Sequence, residues 1–418
     1  PIAIIAVGVG NLMKKNNMLG QNVIIQSIGA SSGVIVAGAI FTLPALYILG
    51  LEAQFYQVFL ASLFGGLLGI LMLIPFRKYF VKDMHGKYPF PEATATTEVL
   101  VSGEKKGNQA KLLAISGLVG GLYDFCVSTF GWWTENISTR LIGWGDMVAE
   151  KMKVVFKVNT GAAVLGLGYI IGLKYSAIIC AGSFTVWFVL IPFLSYFGDG
   201  QTLAVGEGIT TLIRDMSPEM IFTHYARHIG IGGIAMAGII GIVRSSGIIR
   251  QALGLAVNEL KGKKTAEENV ERTQRDLTMK FIMIGILATL VTTFIFFQFG
   301  VLGNWLQTVV AILIVFVISF LFTTVAANAI AIVGTNPVSG MTLMTLILAS
   351  LVLVSAGLSG TGGMMAAMVI GGVVCTALSM AGGFITDLKI GYWLGTTPAK
   401  QETWKFLGTA VSAATVAG

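Results

Sequence analysis

The residues with chemistry to offer are polar groups set inside otherwise apolar stretches. Asp124, in GLVGGLYDFCVSTF, sits well within an apolar run, where a charge costs on the order of 3 kcal/mol to insert. A carboxyl there faces a bundle interior and is a natural coupling site, because buried carboxyls exchange protons near neutral pH. A charge near the outer interface that snorkels or caps is the plainer use. Pro91 and Glu92 open FPEATATTEVL as a helix with Pro first and an acid in the first turn. Thr94 and Glu98 share a face of it, an interfacial helix with a polar side. Asp387 and Lys389, in GFITDLKIGYWLG beside Tyr392, read as an aromatic belt carrying a surface ion pair.

Amides form a second set. In GTNPVSG, Pro337 cannot donate to a helix and biases Asn336 away from the α region, so the chain opens between two apolar runs. An opened helix offers its free backbone groups, Asn336 and Ser339 to a ligand, whereas a tight turn at the membrane surface offers nothing. Asn22 and Gln26 lie one turn apart within the seam Asn16, Asn17, Gln21, Asn22, Gln26, Ser27, Ser31 and Ser32. That face lines a path or serves as interhelical glue. His85 lies in a basic loop, and His224 with His228 form an H-x-x-x-H pair lacking the glutamate of a zinc protease, so no metal site is expected. Cys126, Cys180 and Cys375 stand singly in apolar runs, as small buried hydrophobes rather than a disulfide framework. No cofactor is implied.

The elements that must position these groups are membrane helices. The chain of 418 residues is 55% hydrophobic and only 11% charged, with a mean hydropathy of +0.82, against roughly 25% charge in a soluble domain. Apolar runs near the ~20 residues needed to cross a bilayer recur, and 53 glycines suit close helix packing in lipid. A β-barrel would alternate polar and apolar positions, whereas 306–335 is continuously apolar. The reading is all-α: a polytopic transmembrane helical bundle with broken or re-entrant helices. Spans are expected over 1–12, 27–49, 56–76, 112–132, 159–173, 176–198, 228–243, 281–300, 306–333, 341–358, 363–383 and 403–418. No soluble domain interrupts them, and residues 1–418 read as a single integral membrane domain, incomplete at both ends.

Lysine and arginine orient the bundle, since cytoplasmic connections retain them. The 77–111 and 244–280 connections, with Lys14, Lys15, Lys174, Lys389 and Lys400, fall inside, and 199–227 falls outside. The 133–157 segment falls outside despite Arg140, Lys151, Lys153 and Lys157. The stretch Lys261–Lys280, with Glu267, Glu271 and Arg275 at four-residue spacing, reads as a solvated helical hairpin. The net charge of +7 therefore speaks of membrane orientation, not of nucleic acid.

Taken in order, FPEATATTEVL, YARHIGIGGIAMAGI, GTNPVSGMT and DLKIGYWLGTTPAKQ, preceded by NNMLGQNVIIQSIGASSGVIVAGAIFTLPAL, resemble the oligopeptide transporter superfamily over nearly the whole chain. The likeness is to its bacterial members related to the yellow stripe-like branch. One departure is Pro91-Glu92-Ala93-Thr94, where the family carries Pro-x-Gly-Thr. The resemblance implies a proton-coupled importer of short peptides or peptide-like metal chelates in the plasma membrane, binding substrate between helices near mid-membrane. Mapped by motif, it points to Glu92, Thr94 and Glu98, to Asn336, Pro337 and Ser339, and to Asp387, Lys389 and Tyr392, with Asn22 and Gln26 as lining residues. Its partners are then a peptide or metal-chelate substrate, protons and the bilayer; a homo-oligomer is left open. A passive channel or lipid translocase would use similar helix breaks. Tyr123-Asp124, Gly143-Trp144-Gly145-Asp146 and Pro44-Ala45-Leu46 superficially match intramembrane aspartyl proteases, but in the wrong order and at different depths, so an enzyme is not expected.

Overall fold

The computed structural model describes residues 3, 18–51, 54–104, 108–198, 211–234, 236–237, 240, 243, 246–247, 271–334 and 338–418. Among the described residues it is helical apart from one pair of three-residue strands, as its composition requires. Among the described residues six helices are long and apolar enough to cross a membrane. The chain divides into two compact units, Pro1–Lys106 with Ala235–Gly418, and Gly107–Ile234.

In the first unit, α1 spans Leu19–Ala39, α2 Pro44–Ile48 and α3 Phe55–Leu73. The 3-10 turn Ile74–Phe76 and the π-helix Lys78–Asp83 continue α3, and α4 spans Pro91–Glu104. Beyond the second unit come α10 Met279–Phe297, α11 Trp305–Val333, α12 Val338–Ser355, α13 Gly360–Trp393 and α14 Pro398–Ala417. The centre is α13, 83% buried over its most apolar window. It packs on α1, α3, α11 and α12. Gly65 and Gly69, four apart on α3, lie against the α13 carbonyls of Val373 and Ala377, where a Cβ would collide with backbone. Small residues at this spacing let two helix backbones approach in lipid, where there is no hydrophobic force to draw them together.

The helix expected over 363–383 runs instead from Gly360 to Trp393. At 34 residues it measures about 50 Å, well beyond the ~30 Å hydrocarbon core. Asp387, Lys389 and Tyr392 therefore stand on the helix itself, not in a connection after it. Half of the helix-like stretch expected over 261–280 lies outside the described residues; the other half is a 3-10 turn at Arg272–Gln274 and an extended lead into α10. Asn16, Asn17 and the span at 1–12, apart from Ala3, also lie outside them.

The second unit holds α5 Asn108–Phe125 with its π-helical end Cys126–Phe130, α6 Gly143–Lys151, α7 Ala162–Ile171, α8 over Leu173–Phe197 and α9 Pro218–Ile221. At ten residues α7 covers only about 15 Å, half a bilayer, and Gly172 at φ +83° turns the chain into α8. A full span over 159–173 is thus corrected to a half-length helix, because only glycine takes that backbone turn readily. The 133–157 connection is structured: β1 Asn136–Ser138 pairs antiparallel with β2 Lys157–Asn159 around α6. Three of its basic residues face partners, Glu219 accepting from Arg140 at 3.0 Å and Lys157 at 2.8 Å, and the Met216 carbonyl from Lys153 at 2.8 Å.

Candidate functional site

The site is built on α13, α14 and α1. Asp387 is 3% exposed and Lys405, on α14, is fully buried; Lys405 Nζ lies 2.7 Å from Asp387 Oδ2. Lys405 also donates to the Ser27 carbonyl at 2.8 Å, and Ser27 Oγ donates to Asp387 Oδ2 at 3.4 Å. Gln401 Nε2 donates to the Asp387 carbonyl at 3.0 Å. Two charges taken out of water are tolerated only with this kind of saturation. The surface ion pair expected between Asp387 and Lys389 does not form. On one helix the two are two residues apart and point to different faces, and burial hands Asp387 to α14.

Lys389 instead occupies a separate box, 1% exposed. Its Nζ donates to the Val81 carbonyl at 2.7 Å and lies 3.1 Å from His85 Nδ1. The rings of Phe90, Tyr392 and Trp393 stand 5.1, 5.1 and 5.3 Å from it. Among the described residues, aromatic faces and a carbonyl, not a carboxylate, surround the ammonium. His85, which the sequence left in a basic loop, is part of this box. Phe90 adopts φ +43°, a left-handed conformation that a bulky residue takes only when its surroundings hold it there. Its N–H donates to the Ala331 carbonyl on α11 at 3.0 Å.

That strained residue delivers α4 to the site. Glu92 keeps solvent-accessible surface, yet its carboxyl is pushed up to about 7 by burial first, then by the Asp387 charge, with Lys405 opposing. It lies within electrostatic reach of the buried pair. Thr94 turns its hydroxyl back to the Phe90 carbonyl at 3.0 Å, and Glu98 is exposed. Beside Pro91, α11 ends at Gly334 with φ +77° and α12 begins at Val338. Asn336 and Pro337 lie outside the described residues, as does the side chain of Ser339. On α1, Asn22 Oδ1 and Gln26 Oε1 are buried without a hydrogen-bond partner among the described residues.

The structure thus gathers Glu92 and Asp387 around one centre and sets Lys389 and Tyr392 in the adjoining box. Asp124 belongs to the second unit, where its Oδ1 accepts from the Ala162 N–H at 2.9 Å and caps α7. Sequence reasoning missed Lys405, Ser27 and Gln401 as partners. The signal was present in Lys405, a lone cation within the last apolar run of the sequence. An apolar groove of about 830 Å³ between α1 and α14, lined by Ile28, Val36, Leu407 and Val411, carries no charged side chain and is not this site.

Buried charges on tightly packed membrane helices, set beside a broken helix, are the architecture of a carrier site. The sequence pattern of the OPT oligopeptide transporter protein family matches residues 1–418. The chain belongs to the oligopeptide transporter family. A curated relative from Haemophilus influenzae, described as "Putative oligopeptide transporter", is 26% identical over 441 aligned residues, covering 100% of this chain and 66% of the relative. The chain therefore spans just under two thirds of the length of that relative. No solved structure matches it. Family membership agrees with the six long apolar helices of a multi-pass membrane protein.

Proposed function

We propose that the chain is the membrane domain of a secondary transporter for short oligopeptides, with Asp387, Lys405 and Glu92 at the substrate and coupling site. The observation that carries this reading is the buried Asp387–Lys405 pair, with the Glu92 carboxyl within its electrostatic reach. A peptide zwitterion brings a carboxylate and an ammonium, the same two charges that already neutralise one another here. Exchange of partners, peptide carboxylate to Lys405 and peptide amine to Asp387 or Glu92, holds the charge count of the site constant. The unsatisfied amide oxygens of Asn22 and Gln26 add acceptors for peptide N–H groups. Glu92 supplies the proton that couples the cycle, since a carboxyl near 7 loads and unloads across physiological pH.

Peptide-like metal chelates are carried by the same charges and belong to the same reading. Proteoliposome uptake of di- to hexapeptides and of iron or nickel chelates, with an inward proton gradient on and off, tests it. The expected result is gradient-dependent uptake that Glu92→Gln and Asp387→Asn abolish. Saturable uptake unchanged in both variants would remove these residues from the mechanism. Uptake that ignores the gradient would favour a passive channel.

A further inference from the structure

A second charged cluster lies in the first unit, built from three segments distinct from the Asp387 centre. Arg77 follows the 3-10 turn after α3, Asp276 precedes α10, and Glu402 stands near the start of α14. The Arg77 side chain is 2% exposed; its Nε forms an ion pair with Asp276 Oδ1, and its Nη2 donates to the Gln274 carbonyl at 3.2 Å. Glu402 is fully buried, with Oε2 accepting from the Leu277 N–H at 2.8 Å. Its Oε1 is buried and receives no N–H or hydroxyl donor among the described residues. Leu277 follows Asp276 directly in the chain, so the bond to its N–H sets the Glu402 carboxyl beside that of Asp276, whose Oδ1 is likewise buried.

Ionised carboxylates only accept, so a hydrogen bond between two of them requires an O–H on one. Charge counting leads to the same requirement. Arg77 is the cation of the cluster, and it is paired with Asp276. Of the neighbouring cations, Arg275 is exposed to solvent, and the others are engaged elsewhere: Arg272 on Thr397 Oγ1 at 2.9 Å and the Gly395 carbonyl at 3.0 Å, Lys405 on Asp387, and Lys389 on the Val81 carbonyl. Two ionised carboxylates against one guanidinium would leave a buried excess negative charge, which a single proton removes.

We propose that Asp276 and Glu402 form a proton-binding site, holding one exchangeable proton between their carboxyls and balanced by Arg77. On loading, a proton from water bonds to one carboxylate oxygen, and the O–H so formed donates to the other carboxylate. On release it returns to water and leaves two like charges facing each other. The site goes beyond the transport reading, since it stands whatever the cargo. The cluster ties the end of α3 to the lead into α10 and the start of α14, a junction closed also by the Ala399 N–H on the Arg275 carbonyl at 3.0 Å. Proton release therefore loosens this junction.

Infrared spectroscopy of the purified protein in lipid nanodiscs, at neutral pH and compared between water and heavy water, reads protonated carboxyls directly. With Glu92→Gln as the background, which removes the carboxyl that titrates near 7, the expected result is a carboxylic-acid band equivalent to one proton per chain that is lost when Glu402→Gln or Asp276→Asn is added. In each of these two variants the surviving carboxylate pairs with Arg77 alone and ionises. No acid band in the Glu92→Gln background, or a band that survives either substitution at the pair, overturns the proposal. Each of the two variants decides it alone if the other fails to assemble. Because the readout involves no transport, an absence of peptide uptake would count against the carrier reading and leave this site untouched.

Discussion

Asp387 and Lys389 sit two residues apart on one helix and are satisfied by different means, one by an opposite charge and hydrogen bonds, the other by rings and a carbonyl. Their partners differ because successive helical positions face different neighbours. Truncating one member of the pair leaves the other buried and uncompensated, which costs about 3–5 kcal/mol. Lys405→Met or Asp387→Asn should therefore lower thermal stability in detergent sharply, while the double variant recovers part of the loss; equal melting of all four proteins would show the pair to be inert. Glu92 makes a pH-dependent prediction. Its carboxyl is raised from 4.5 to about 7, so the folded protein holds the proton more tightly than the unfolded chain. The associated stability is fully present below the ordinary carboxylate value and is lost as pH rises through about 7. Glu92→Gln should flatten the melting profile across that window, and a profile as steep as the unmodified one would assign the dependence to other groups.

At the level of the helices, close approach decides where the charges can meet. Gly65 and Gly69 bring α3 onto α13 backbone to backbone, and a larger residue there has no space to enter. Gly69→Val should cost about 1–3 kcal/mol by overpacking and reduce the yield of folded protein, whereas alanine at Gly121, which has open space around it, should be silent. Expression with gel-filtration homogeneity distinguishes the two. In the second unit, Asp124 caps α7 from a different helix. Asp124→Ala should weaken that short helix by about 0.5–2 kcal/mol, the usual worth of a side-chain cap, read as faster hydrogen exchange at Val164 and Leu165. Exchange unchanged at those amides would mean that the cap adds nothing.

Over the whole molecule, the positive residues of 77–111 and 244–280 put those connections on the cytoplasmic side in the proposed topology, with 199–227 outside. Single cysteines at Lys82 and Lys264 should react with a membrane-impermeant thiol reagent only in inside-out vesicles, and one at Asp215 only in intact cells; the reverse pattern would invert the topology. Much of this architecture is legible in the sequence, because a bilayer forces every backbone group into internal hydrogen bonds and so turns long apolar runs such as 306–333 into helices wherever they occur. The α11 helix at Trp305–Val333 lies within a residue of that expectation. Motif order likewise identified the family, since FPEATATTEVL and GTNPVSGMT are local strings. The sequence did not reveal that α13 continues ten residues past Gly383, because its polar end resembles a surface connection until neighbouring helices cover it. Nor did it show which lysine neutralises Asp387. Local composition determines which segments enter the membrane and become helices; the choice of Lys405 over Lys389, and the joining of Arg77, Asp276 and Glu402 from three separate segments, depend on contacts between residues far apart in the chain and were decided only by tertiary packing.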